Sequence, residues 1–182
     1  MKMFIVNYRK KLVDVFILFL IGAVIGWSYE VILHLVRDGV LVNRGMLHGP
    51  WLPIYGIGCV LIVALKQWTG GKPVTYFITC FFASAVLEYG TSWLMETIYH
   101  TRWWDYSRLP LNLNGRIYLK GLLGFALTGC LFVYVLLPAS KKLYCKLPKN
   151  TMKWIVGLLA IVFILDVFLS MFFPNMGVGV TR

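Results

Sequence analysis

The sequence predicts an all-α membrane protein, a polytopic helical bundle of about five transmembrane helices with a cytoplasmic N-terminus. Charged residues make up only 14% of the chain, against about 25% in soluble domains, so there is little material for a solvated surface. Hydrophobic residues make up 59%, and mean hydropathy is +0.75. Several apolar runs are long enough to cross a bilayer. These observations predict a single integral membrane domain over residues 1–182, multi-pass in the cell membrane and in contact with lipid.

The apolar runs predict spans at roughly residues 12–36, 51–68, 74–99, 119–138 and 154–173. The first run follows a basic stretch, as in a signal peptide, but it is long and lacks a small-residue cleavage site. We therefore expect it to be retained as the first helix. Its two glycines four residues apart, Gly22 and Gly26, are expected to let a neighbouring helix approach closely. The second span carries Pro53 in its first turn, where the missing N–H does no harm.

The basic residues predict the orientation of these spans. With the N-terminus in the cytoplasm, 11 of the 18 Lys and Arg residues lie on the cytoplasmic side. Ten of the eleven lysines fall there, whereas six of the seven arginines fall on the outer side. Arginine is the planar, permanently charged group that pairs with carboxylate or phosphate. We therefore expect the outer arginines to pair with carboxylate or phosphate groups, and we do not attribute them to the orientation of the spans.

The polar segment at residues 38–55 contains more polar, glycine and proline residues than a connector between two spans requires. It contains Asn43, Arg44 and His48 together with three glycines and two prolines, and it ends at Tyr55. Irregular backbone at membrane depth is tolerated where it is buried in protein or lines a cavity. Two interpretations stay open: a re-entrant stretch that brings His48 close to Glu30, or an ordinary surface turn before a proline-started helix.

Ionisable side chains are predicted in the outer halves of three spans. Glu30 and His34 lie in the first span, Glu88 and Glu96 in the third, and Asp166 in the fifth. A charge in hydrocarbon costs roughly 2.5–3.5 kcal/mol, so such a residue normally faces the bundle interior with a partner. We expect either a shared polar recess near the outer surface or internal struts, in which arginines of the connectors pair with Glu30 and Glu88. Asp166 has no companion motif, and a structural role suits it equally well.

Several other chemistries lack a sequence signature. No HExxH pattern occurs, so no metal site is predicted; Glu30, His34 and His48 would be the ligands if one formed. No nucleophile elbow, Walker A loop or dinucleotide fingerprint occurs, so we expect no cofactor and no ATP hydrolysis by this chain. The net charge of +11 is accounted for by cytoplasmic loops, and no nucleic-acid-binding signature accompanies it.

Short motifs from about Ile21 to the fourth span resemble, in order and spacing, a bacterial family labelled ABC-transporter permease, type IV. They are Gly26-Trp27-Ser28-Tyr29-Glu30, Asn43-Arg44-Gly45, His48-Gly49-Pro50, Pro53-Ile54-Tyr55-Gly56, Leu87-Glu88-Tyr89, Ser92-Trp93, Trp103-Trp104-Asp105-Tyr106-Ser107 and Asn112-Leu113-Asn114-Gly115-Arg116. The resemblance implies transport and an ATPase subunit as partner. The family's signature also falls on the residues that charge and topology single out.

The sequence therefore predicts a permease-like protein that binds a small polar or anionic solute or a lipid headgroup in an outer-facing pocket, as a homo- or hetero-oligomer. The predicted substrate-binding residues are Glu30, Asn43, Arg44, His48, Tyr55, Glu88, Ser92, Trp104, Asp105, Tyr106, Asn114 and Arg116. In this interpretation Arg44 and Arg116 hold the anion. A rival interpretation is an intramembrane enzyme acting on a lipid-linked or phosphorylated substrate, with Glu88 or His48 as general base. A second rival is a non-catalytic membrane assembly factor.

Overall fold

A computed structural model describes residues 8–138 and 149–176, with side chains from residue 12 in the first part and from residue 154 in the second. Within these ranges the chain is mainly helical, as predicted for an all-α bundle. The helices are α1 Tyr8–Asp38, α2 Pro53–Trp68, α3 Pro73–Tyr99, α4 Leu119–Leu131 and α5 Lys149–Phe172. A π-helical turn, Phe132–Leu136, continues α4.

Four stretches of the described chain are long and apolar enough to cross a membrane. They are Leu12–Asp38, Pro73–Tyr99, Leu119–Leu136 and Trp154–Phe172. The remaining apolar helix, α2, has 16 residues. At 1.5 Å per residue it is about 24 Å long, shorter than a hydrocarbon core of about 30 Å. The five predicted spans are therefore five helices, of which α2 is a short one.

The described residues divide into two compact units according to their internal contacts. Among the described residues, unit 1 comprises residues 8–60 and 149–175, and so contains α1, the linking segment at residues 39–52, the first half of α2, and α5. Unit 2 comprises residues 61–138 and 176, and so contains the second half of α2, α3, the connector at residues 100–118, and α4.

The core of unit 1 is built where the linking segment packs on the helices. Ala23, Leu47 and Trp51 are buried together, with Phe163 and Val167 against them. The glycine prediction is confirmed for both positions of α1. A Cβ on Gly22 would overlap Cys59, and one on Gly26 would overlap the ring of Tyr55, so α1 and α2 touch here with no room for a side chain. This contact is what brings the start of α2 beside the face of α1 that carries Glu30.

The core of unit 2 is formed by apolar residues of α2, α3 and α4, with Tyr76 fully buried among Ile62, Cys80 and Ala126. The Tyr76 hydroxyl donates to the Ile62 carbonyl at 2.8 Å, which satisfies its polar group. Helix α3 begins at Pro73, where proline is well suited to the first turn, and ends at Tyr99; the C-cap residue His100 has a left-handed conformation with φ of 51°.

The connector contains a small β-hairpin, which the sequence analysis did not predict. Strand β1, Asn112–Leu113, pairs antiparallel with strand β2, Ile117–Tyr118. The turn residues Asn114 and Gly115 both have positive φ, 52° and 67°. Two consecutive positive φ values are the requirement of a type I′ hairpin turn, for which Asn-Gly is the preferred pair.

Candidate functional site

Three of the predicted substrate-binding residues of unit 1 meet with His34 around one carboxylate, in what we call the Glu30 cluster: Glu30, His34, Arg44 and Tyr55. The Tyr55 hydroxyl donates to Glu30 Oε1 at 2.6 Å. Arg44 Nε lies 3.7 Å and His34 Nε2 lies 3.9 Å from Glu30 Oε2. Each group comes from a different place in the sequence: Tyr55 from the first turn of α2, Arg44 from the linking segment, and His34 from the next turn of α1. Glu30 and Arg44 are mostly buried, with side-chain exposures of 19% and 12%.

A chain of contacts continues from this cluster to the end of α1. His34 Nδ1 lies 2.7 Å from Asp38 Oδ2. Arg37 donates to both oxygens of Asp38, from Nε at 2.8 Å and from Nη2 at 2.9 Å. Because Glu30, His34 and Asp38 are spaced four residues apart, they lie on one face of the helix.

Asn43 braces the linking segment from within. Its Oδ1 accepts from Trp27 Nε1 at 2.6 Å, and its Nδ2 donates to the His48 carbonyl at 2.8 Å. Asn175 adds a second support, donating from Nδ2 to the carbonyls of Asn43 and Gly45 at 3.1 and 3.0 Å. Both polar atoms of the Asn43 side chain are thus engaged in holding the segment that presents Arg44.

Asp166, on α5, is the main anchor of the same segment. It accepts from the backbone N–H groups of His48 at 3.0 Å and Gly49 at 2.8 Å, and from Trp51 Nε1 at 2.6 Å. Ser170, one turn along α5, donates to Asp166 Oδ1 at 3.2 Å. A carboxylate with this many donors is stabilised in its ionised form although it is only 9% exposed. Asp166 was not among the predicted site residues; the available signal was a lone acid within an apolar span.

His48, Ser170 and Asp166 together do not form a catalytic triad. His48 Nδ1 lies 3.0 Å from Ser170 Oγ and 3.5 Å from Asp166 Oδ1, so the same ring nitrogen faces both groups. In a triad the acid holds the ring nitrogen opposite to the one that faces the serine. Ser170 is also fully buried. We conclude that these three residues fix the backbone of the linking segment.

In unit 2 two predicted substrate-binding residues, Ser92 and Arg116, meet with Glu96 and Arg102 in what we call the Glu96 cluster. Arg102 Nε donates to Glu96 Oε1 at 2.9 Å, and Arg116 Nη2 forms an ion pair with Glu96 Oε2. Arg116 also donates to Ser92 Oγ at 3.1 Å, and its guanidinium lies 5.6 Å from the centre of the Tyr89 ring. The internal-strut interpretation expected Arg116 to pair with Glu88. The structure places Glu96 against Arg116, and the role of Glu88 stays a prediction.

Three other predicted residues stabilise the fold of the connector: Trp104, Tyr106 and Asn114. Trp104 Nε1 donates to the Arg116 carbonyl at 3.0 Å, and the Tyr106 N–H donates to the Gly115 carbonyl at 2.7 Å. Asn114 Nδ2 donates to the Tyr89 hydroxyl at 2.9 Å. Their contacts connect the hairpin to the rest of the connector and to α3.

Asp105 forms a local turn at the same place. Its Oδ1 accepts from the Ser107 hydroxyl at 2.5 Å and from the Ser107 N–H at 2.9 Å. These hydrogen bonds, that of the hydroxyl first, lower the pKa of the Asp105 carboxyl below its usual value. The ionised form of Asp105 is therefore part of the folded connector.

Two further observations concern ligands. Among the described residues, no group of three or more His, Cys, Asp or Glu side chains is arranged to hold a metal ion. An apolar groove of about 340 Å³ lies beside the hairpin, lined by residues including Leu111, Leu113, Ile117 and Leu122. None of the predicted site residues lines this groove.

The part of the chain that the structure describes contains four membrane-length apolar helices, and the carboxylates inside them are paired by arginine, tyrosine and backbone donors. These features define an α-helical integral membrane protein. Residues 17–171 match the model of the family described as "Putative ABC-transporter type IV", and the chain belongs to this family. Comparisons with curated proteins and with solved structures each gave no match. The family and the apolar helices together fit a membrane transport component.

Proposed function

We propose that the chain is the membrane component of an ABC-type transporter and that it binds a small anionic solute, or the anionic headgroup of a lipid, at Arg44 beside Glu30. The observation that carries the proposal is the looseness of this ion pair. Arg44 Nε stands 3.7 Å from Glu30 Oε2, whereas Arg102 and Glu96 in the same protein are 2.9 Å apart.

The distance matters because the two arrangements serve different purposes. A strut between mostly buried charges is strong when the guanidinium donates directly to the carboxylate, at about 2.7–2.9 Å. A longer separation keeps the charges compensated while leaving the pair easy to exchange. An incoming carboxylate or phosphate would pair with the Arg44 guanidinium in place of Glu30. Glu30 would then take up a proton and become neutral, and the Tyr55 hydroxyl would still donate to it.

The surroundings of Arg44 support a prearranged site. The linking segment is fixed on both sides of Arg44, by Asn43 and by the bonds of His48 and Gly49 to Asp166. A binding group on a braced segment loses little conformational freedom when its ligand arrives. In the orientation predicted from the basic residues, this site faces the outer side of the membrane.

The energy source in this proposal is a separate subunit. The sequence contains no Walker A motif, so ATP hydrolysis requires an ATPase partner. With four membrane-length helices in the described part, the protein would form its pathway as an oligomer with itself or with other membrane subunits.

The test is purification of the full chain from its native membrane in mild detergent, with mass spectrometry of the proteins and small molecules that accompany it. We expect an ATPase subunit and an anionic molecule with the wild-type protein. Arg44→Gln should lose the molecule by about tenfold or more while keeping the ATPase, because a hydrogen bond to a charged group contributes about 1.5–3 kcal/mol. Arg108→Gln, at an exposed arginine of the connector, is the matched control and should retain both.

Two results would overturn the proposal. One is recovery of the same anion in equal amount from Arg44→Gln. The other is the absence of any ATPase together with chemically altered lipid after incubation with membranes, which would indicate an enzyme instead.

A further inference from the structure

We propose that Glu30, His34 and Asp38 form a proton relay along α1, so that the ion exchanged at the Glu30 cluster is a proton. This inference rests on the proposed function for its purpose, since it supplies the proton that neutralises Glu30 when an anion binds Arg44. Its geometry and its test are independent of any solute.

The three groups form a carboxylate–imidazole–carboxylate series along one helix face. Asp38 Oδ2 lies 2.7 Å from His34 Nδ1, and His34 Nε2 lies 3.9 Å from Glu30 Oε2. The imidazole is thus placed between two acids with one ring nitrogen toward each. Imidazole suits this position because it takes up a proton on one nitrogen and releases a different proton from the other.

The exposure of the side chains gives the series a direction. The Asp38 side chain is 39% exposed, whereas those of His34 and Glu30 are 16% and 19% exposed. The exposed carboxylate at the end of the helix is therefore the point where protons exchange with water. Glu30, deeper along the same face, is the point where they are delivered.

The proton reaches Glu30 in two transfers. A proton on Asp38 moves to His34 Nδ1, which leaves the Asp38 carboxylate and an imidazolium. The imidazolium releases the proton of Nε2 to Glu30 Oε2, giving neutral Glu30 and a neutral imidazole protonated on Nδ1. Return of the proton from Glu30 by the same route in reverse, with Nε2 taking it up and Nδ1 releasing its own proton to Asp38, restores the starting tautomer. The 3.9 Å gap is closed by a small rotation of the Glu30 carboxylate, since such hydrogen bonds are often long in an unliganded site.

Every charged or titratable contact described for the three groups fits this scheme. Glu30 is faced by Tyr55 from α2 and by Arg44 from the linking segment. Asp38 is faced by Arg37, whose guanidinium donates to both carboxylate oxygens and favours the ionised form of Asp38. Arg44 favours the Glu30 carboxylate, so Glu30 holds a proton more readily when Arg44 is occupied by an anion.

The test is a pH jump on the full chain in lipid nanodiscs, started by light-triggered proton release and followed by time-resolved infrared absorption of the Glu30 carboxyl group. The Glu30→Gln variant identifies that absorption by its loss. We expect His34→Gln to slow protonation of Glu30 by roughly 10²-fold, the contribution of a positioned proton-transfer group. Asp38→Asn, at an exposed position that leaves the packing intact, should slow it as well. His100→Gln, the same substitution at the end of α3, is the matched control and should not.

Protonation of Glu30 at the wild-type rate in both His34→Gln and Asp38→Asn would overturn the relay, and so would the lack of any Glu30 protonation in the wild type. Because this measurement contains neither solute nor ATPase, its failure is separate from failure of the proposed transport function.

Discussion

At the scale of single residues, the position of Tyr55 decides whether the Glu30 cluster forms. Tyr55 reaches Glu30 only because α1 presents the bare backbone of Gly26 to its ring. A side chain at Gly26 would displace the tyrosine and with it the short hydrogen bond to Glu30. The glycine is therefore part of the site although it has no functional group.

We predict that Gly26→Ala destabilises the protein by about 1–3 kcal/mol, the usual effect of overpacking a close contact. Thermal unfolding in detergent, followed by circular dichroism, measures the effect. Gly124→Ala is the matched control, since a Cβ there meets nothing within 4 Å. Equal unfolding temperatures for the two variants would contradict the close approach at Tyr55.

The Asp105 turn gives a prediction for pH at the same scale. Its carboxyl pKa is lowered in the folded protein, so the stability that it contributes is fully present above its unfolded value of 3.8. That contribution is lost as pH falls below 3.8 through the lower folded pKa. The protection of the Ser107 amide against hydrogen exchange, taken relative to the intrinsic exchange rate at each pH, should fall in that range and stay high near neutral pH. Asp105→Asn should remove the pH dependence; if the variant keeps it, another group is responsible.

At the scale of elements, the linking segment owes its conformation to α5 more than to its own turn residues. Asp166 satisfies two backbone N–H groups and the Trp51 indole at once, and Asn175 bonds the segment from just beyond α5. Arg44 is presented from this braced backbone. The position of Arg44, the residue that we propose binds the anion, thus depends on the Asp166 carboxylate of α5.

We predict that Asp166→Asn loosens the linking segment while leaving the helices inserted. The amide offers one acceptor oxygen where the carboxylate offers two, and its NH₂ would oppose the donors that now face Oδ2. Hydrogen exchange by mass spectrometry should show faster exchange across residues 43–52. Asp105→Asn, the same change in unit 2, is the control and should leave this segment protected. A segment equally protected in Asp166→Asn would refute the anchoring role.

At the scale of the whole molecule, the helices could be predicted because the hydropathy of a span is a local and continuous property. Their observed ends lie close to the predicted ones, apart from earlier starts for α1 and α5. The hairpin was not predicted, although the Asn114-Gly115 pair is a strong turn signal in the sequence. Its strands of two residues gave no alternating pattern to support it.

The partners within each cluster could not be predicted in the same way. His48 and Asp166 are 118 residues apart in sequence, and no local pattern pairs them. Helix α3 carries two acids, Glu88 and Glu96, and the structure forms the ion pair between Arg116 and Glu96. The sequence identified which residues carry charge within the membrane, and packing decided which of them meet. The joint pocket predicted around Glu30 and Glu88 remains a prediction.

We propose that Arg44 and Glu30 form an exchangeable anion site in a membrane transport component. The most direct measurement is a structure of the native protein, purified with its partners in lipid and determined by electron cryomicroscopy. We predict density for a bound molecule against the Arg44 guanidinium, with Tyr55 still in contact with Glu30. A map in which Arg44 donates directly to Glu30 at hydrogen-bond distance, with no molecule beside it, would make the pair a structural strut and contradict the account.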